Sequence, residues 1–189
     1  MHEHGEFSDP PKTLWQTEGG QAGDRRMTLL ADFDFLDPDK KLWRAPKGYE
    51  KMDGASIPQP LWSLIGSPYT GNYRRAAIVH DWACDNLNDR LAADRMFYHA
   101  CRAGRCTIWQ ATILYIGVRI GAWLKSHPTS RFAAVPEFAG PRVFQTRDEA
   151  DLVSTFQTTA EFVLRPGETD NPSEIEQRTN VAIGIFLGK

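Results

Sequence analysis

The run Ala76-Ala77-Ile78-Val79-His80-Asp81-Trp82 sets a histidine and a carboxylate directly behind four apolar residues. An imidazole in that setting is drawn into a core, where it needs a polar partner. Asp94 is the candidate, because Leu91-Ala92-Ala93-Asp94-Arg95-Met96-Phe97 flanks a second acid with apolar side chains. Tyr73, Ala76, Ala77, His80 and Cys84 recur at helical spacing, which predicts one helix ending near Asp85. A second helix starts near Arg90, behind Asn88 and Asp89, either of which can cap it. So short a connection makes the two helices antiparallel neighbours, and at about 1.5 Å rise per residue His80 and Asp94 are nearly level. A carboxylate there would hold one ring nitrogen and leave the other to take a proton from water. His80 is therefore a candidate general base and Asp94 its orienter. Asp81 points about 100° around the helix, away from that contact but able to face a cation beside the histidine. A hard cation such as calcium wants further oxygens, and the Asp53-Gly54 loop could supply a carboxylate or backbone carbonyls.

Other groupings carry less chemistry. Ser56 has no G-x-S-x-G setting and reads as the N-cap of a helix beginning around Ile57 and Pro58. Cys84 lies one turn from His80, so a thiol–imidazole pair is conceivable, but it reads as a small buried thiol. A metal phosphohydrolase built on the His-Asp pair needs another histidine upstream. Only His2 and His4 precede it, both in a polar terminal stretch that reads as frayed. His99 and His127 have no acidic neighbour at helical spacing that suggests a site.

Residues 1–26 are polar with clustered Pro and Gly and read as a flexible N-terminal arm. From Met27 two extended stretches flank a Pro-Asp turn, and Leu29, Ala31, Phe33 and Phe35 alternate as in a half-buried strand, so a β-hairpin is expected. A short helix should run from Ile57 to Gly66, and a long apolar one from Thr107 to about Ser126, ended by His127-Pro128. Residues 128–146 hold three prolines and no clear period. Beyond them, 147–164 carries a helical stripe, and Asn171-Pro172-Ser173-Glu174 reads as a further helix start. The expected fold is α+β and mainly helical: a β-hairpin, then a three-helix core whose motif helices are antiparallel. In domain terms, residues 27–127 form the motif-bearing core and 128–189 a C-terminal extension docked on it.

The chain has 189 residues, 41% hydrophobic and 24% charged, enough for one domain with a core of its own. A net charge of −2 provides no basic field for binding nucleic acid through counterion release, so that partner class is set aside. Cys84, Cys101 and Cys106 are odd in number and lack a paired CxxC pattern, so they read as reduced, structural thiols. The N-terminus shows no basic segment followed by an apolar run, which makes the cytoplasm the default location. The stretch from Thr107 to Leu124 carries Gln110, Thr112 and Arg119 and is expected as a buried central helix rather than a membrane span.

The run from about Met27 to Trp123 resembles a domain family of unknown function common in bacteria and phages. The motifs that carry the likeness are Met52-Asp53-Gly54-Ala55-Ser56-Ile57-Pro58, His80-Asp81-Trp82-Ala83-Cys84, Arg90-Leu91-Ala92-Ala93-Asp94-Arg95-Met96-Phe97, and Tyr115 with Val118-Arg119. The resemblance implies a phage, prophage or secretion-associated protein and supplies no established activity. The helix pair is also similar to secretory phospholipases of the A class, whose first helix carries His-Asp and whose next, antiparallel helix carries an Asp. That likeness implies a water-activating His80, a calcium-binding Asp81 and an orienting Asp94; the spacing Arg90-x-x-x-Asp94-x-x-Phe97 also matches the second helix of the bacterial forms. The chain departs from the phospholipases in lacking an evident glycine-rich calcium loop and disulfides. It departs from both families in carrying Cys84 where a Tyr is usual.

Together these residues point to a hydrolase acting on an ester of a lipid or similar cell-envelope substrate, with calcium as the expected cofactor. The helix from Thr107 and the aromatics Trp62, Trp82 and Trp109 could line an acyl pocket. One alternative is a non-enzymatic accessory protein of phage or secretion machinery, in which His80 and Asp94 are a buried structural pair. A lesser one is a metal-dependent cell-wall amidase or peptidase with Asp53, His80 and Asp81 as ligands. Access separates the first two: an enzyme needs His80 on a solvent-connected cleft, whereas the accessory reading expects it sealed in the core.

Overall fold

The structure, a computed structural model, describes residues 3–15, 27–52, 57–66, 71–132, 135 and 146–188. Asp53, Gly54 and Ser56, expected at a calcium loop and a helix cap, lie outside the described residues. The strands are β1 (Glu6–Phe7), β2 (Thr13–Trp15), β3 (Met27–Leu29), β4 (Phe33–Leu36) and β5 (Leu42–Ala45). The helices are α1 (Trp62–Ile65), α2 (Arg74–Asn86), α3 (Arg90–Ala103), α4 (Ile108–Ser126), α5 (Arg147–Leu164) and α6 (Pro172–Phe186). The fold is thus mixed α+β and mainly helical, with small antiparallel sheets. The chain divides into two compact units, one of Met1–Ala55 with Ser67–Cys106, the other of Ser56–Gly66 with Thr107–Lys189.

In the first unit β4 and β5 form the expected hairpin, paired from Phe33 opposite Ala45 to Leu36 opposite Leu42. Alternation explains its orientation: Phe33, Phe35, Trp43 and Ala45 are buried, while Leu42 and Arg44 face out. Asp37 organises the turn, its carboxylate accepting from the Lys41 amide at 2.9 Å and the Trp43 indole at 2.8 Å. The expected single strand over 27–36 is instead two. Leu29 bonds by backbone to Gly48 and Tyr49, and the Asp32 carboxylate accepts from the Lys47 amide, so the chain bends between β3 and β4.

The segment expected to be a flexible arm contributes two strands. β2 pairs with β3, and β1 pairs with β4 to complete a three-stranded sheet ordered β1-β4-β5. The physical reason is the free edge of β4, which needs a hydrogen-bonding partner, and Phe7, whose ring packs 5.5 Å from Phe33 and 4.9 Å from Phe35. Against β4 and β5 lies α2, and α3 packs on α2 and β1. The Asp89 carboxylate caps α3 by accepting from the Ala92 amide at 3.0 Å. Ala76, Ala77, Ala83, Ala93 and Ala100 are buried, and such small side chains let the two helices approach closely.

In the second unit a short 3-10 helix (Gln59–Leu61) leads into α1, which Gly66 ends at φ 90°. Thr107 and Gln110 form a capping box on α4, Thr146 and Glu149 another on α5, and Asn171 caps α6 ahead of Pro172. As its composition predicts, α4 is buried along most of its length, from Ala111 to Gly121. Gly117 marks a close approach to a neighbour, since a Cβ there would stand 3.2 Å from the Ile57 side chain. Among the described residues, no helix is long and apolar enough to cross a membrane.

Candidate functional site

His80 stands midway along α2 and Asp94 one turn into α3. Their level placement on antiparallel helices brings His80 Nε2 to 2.7 Å from Asp94 Oδ1, and both side chains are 0% exposed. The same oxygen accepts from Arg90 Nε at 3.0 Å, one turn earlier on α3. The guanidinium balances the carboxylate's charge, so the imidazole need not be protonated to compensate it. Because Asp94 accepts, Nε2 carries the proton, and in the neutral ring Nδ1 holds the lone pair. Phe97, one turn beyond Asp94, packs against the imidazole with ring centroids 4.7 Å apart.

Cys84 is half-buried rather than sealed, and its Sγ lies 3.5 Å from Nε2 and 3.7 Å from Nδ1. A sulfur nearly equidistant from both nitrogens is in line with neither of them. It also stands in the last turn of α2, where the helix dipole disfavours a thiolate. The contact is packing rather than an activated nucleophile. His80, Cys84 and Asp94 offer nitrogen, sulfur and oxygen donors within 4.8 Å of one another. That donor set suits zinc better than calcium, but Asp94 Oδ1 is already engaged by His80 and Arg90.

Asp81 is buried too, at 3% exposure, one residue on from His80. Among the described residues it joins no group of three or more His, Cys, Asp and Glu side chains placed to hold a metal ion. Arg90 entered the sequence reading through its spacing alone. Its bond to Asp94 is the contact that reading missed, and the i,i+4 relation of the two residues was the available signal. His4 and His99, given no role from sequence, meet Nδ1 to Nδ1 at 3.3 Å and tie the N-terminal stretch to α3. Of the three tryptophans expected around an acyl pocket, Trp109 lines an apolar groove of about 810 Å³ in the second unit, with Ile113, Phe156 and Phe186. Trp62 and Trp82 are not among the residues lining that groove.

Residues 27–118 match the profile of a family described as "Protein of unknown function (DUF1353)". This DUF1353 match runs from β3 through α2 and α3 into α4, so it includes His80, Arg90 and Asp94 and excludes β1, α5 and α6. Two curated relatives come from Sinorhizobium fredii (strain NBRC 101917 / NGR234). "Uncharacterized protein y4jT" is 42% identical over 92 residues, 48% of this chain and 27% of that protein. "Uncharacterized protein y4iH" is 38% identical over 98 residues, 51% of this chain and 41% of that protein. The chain therefore spans less than half the length of either relative. No solved structure matches it.

Proposed function

We propose that His80 and Asp94 are the general-base dyad of a hydrolase acting on an ester of a lipid or related cell-envelope substrate. The observation that carries the reading is the 2.7 Å bond from His80 Nε2 to Asp94, which orients the ring for base chemistry. A second support is cost. A buried histidine, two buried carboxylates and a partly buried guanidinium in one helix pair incur desolvation that an apolar core avoids, which makes such clusters functional candidates. On this reading Nδ1 takes a proton from water as the hydroxide adds to the ester carbonyl carbon. Asp94 stabilises the imidazolium so formed, and Arg90 keeps Asp94 ionised and in place. Asp81 is the carboxylate proposed to face calcium, with Asp53 as a further donor; bound there, the ion would polarise the carbonyl.

The complete burial of His80 favours a second reading, in which His80, Asp94 and Arg90 are a structural tie in a non-enzymatic, phage- or secretion-associated accessory protein. Half-buried Cys84 lies against the imidazole, so turnover on the first reading uncovers the ring on that side. Hydrolysis assays on phospholipid vesicles and on peptidoglycan, each with calcium, with zinc and with chelator, separate the two. The hydrolase reading expects wild-type turnover on phospholipid that falls at least ~100-fold in His80→Gln while circular dichroism shows an unchanged fold. No wild-type turnover on any substrate, or equal turnover in the folded variant, overturns it.

A further inference from the structure

At the end of α3 the chain closes a Schellman motif. The Cys106 amide bonds the Cys101 carbonyl at 3.0 Å, the Arg105 amide bonds the Arg102 carbonyl at 3.0 Å, and Arg105 stands between them at φ 74°. In that motif the side chains at the first and last positions meet, and here both are thiols. Standard bond lengths and the 3.0 Å hydrogen bond put the two Cα atoms at most about 7 Å apart, within reach of the disulfide range after small adjustment. The turn is pinned from outside by Asn72, whose Nδ2 donates to the Arg105 carbonyl at 3.0 Å, and from within by Arg102, whose Nη1 donates to the Cys106 carbonyl at 2.5 Å.

We propose that Cys101 and Cys106 form a reversible disulfide when the protein meets a small neutral oxidant of the peroxide class. The two thiols differ in the way the chemistry requires. The hydrogen bond from Cys101 lowers the Cys106 pKa, with the Arg102 charge assisting, while burial holds Cys101 in its thiol form. Cys106 thiolate attacks one peroxide oxygen, the O–O bond breaks, and a sulfenic acid and hydroxide form. The proton that left Cys106 joins that hydroxide as water. Cys101 sulfur then attacks Cys106 sulfur, and its own proton leaves with the displaced hydroxide as a second water. Two thiols lose two electrons and hydrogen peroxide becomes two waters. With the side chains 0% and 3% exposed, the site admits hydrogen peroxide more readily than a bulky disulfide such as oxidised glutathione. Cys84 stands apart, against His80, and keeps its thiol.

The test is a thiol count and a peptide map of the full chain after hydrogen peroxide treatment. The expected result is a mass loss of about 2 Da, reversed by dithiothreitol, with denatured thiols falling from three to one. Trypsin cleaves after Arg102 and Arg105, so the Cys101 and Cys106 peptides should appear as one cross-linked species without reductant. C84S should keep the full mass loss, and C106S should lose it. Three thiols remaining, stepwise oxygen addition in place of the mass loss, or a cross-link to Cys84 overturns the proposal, and each is read on the wild-type chain.

Discussion

Removing the Asp94 carboxylate tests the network at its centre, because one oxygen serves both His80 and Arg90. In Asp94→Ala, His80 is 0% exposed and its Nε2–H loses its acceptor, which costs about 1–3 kcal/mol for a buried donor left unmade. Arg90 is 26% exposed and can turn its head to water, so its share is discounted to under about 1 kcal/mol. The small void left by the carboxylate adds roughly 1 kcal/mol. The sum, about 2–5 kcal/mol, overlaps the loss of about 3–5 kcal/mol seen on breaking buried pairs. Asp94→Asn keeps an acceptor and the shape, and should cost about 1–2 kcal/mol. Arg90→Met keeps the aliphatic stem and the His80 bond, and should cost about 1 kcal/mol or less. Urea unfolding at constant slope measures the series, and the order of the three variants is the diagnostic. An Asp94→Ala loss under about 0.5 kcal/mol, or an Arg90→Met loss larger than it, would refute the shared-oxygen account.

Two further outcomes follow from the packing and the charges. A Cβ at Gly104 would stand 2.4 Å from the Asn72 carbonyl oxygen, a backbone atom that cannot step aside, so Gly104→Ala should lose about 1–3 kcal/mol in thermal or urea melts. An unchanged melt contradicts that close approach. On α6, the Thr169 hydroxyl and then Arg178 hold the Glu174 carboxyl below its usual value. A depressed carboxylate contributes stability that is present above its unfolded value and lost as pH falls through its folded one. Acid should therefore open the first turn of α6 in wild type, as amide exchange would show, with less pH dependence in Glu174→Gln; identical profiles would sink the assignment.

The parts legible in the sequence are those governed by local rules. Asp89 and Asn171 mark helix starts because a side-chain oxygen reaches an amide two or three residues ahead, a relation that needs no tertiary knowledge. His80 and Asp94 were placed level by the same means, since helical rise and a short connection determine the offset. The strands β1 and β2 were not legible. Two or three residues carry no period, and what makes Phe7 a strand residue is the edge of β4, a partner far along the chain.

The sealing of His80 belongs to the second kind of fact. Periodicity says which face of α2 is apolar and that the imidazole lies on it. Whether that face meets solvent depends on Phe97 and Cys84, which reach it from α3 and from the next turn of α2. The dyad bond orients the ring for base chemistry, and the residues covering the ring decide whether it can meet water. Arg90 supplies Asp94 with a hydrogen bond from its own helix. Support for the orienting carboxylate thus comes from α3, and residue 84 on α2 is left to set access to the ring.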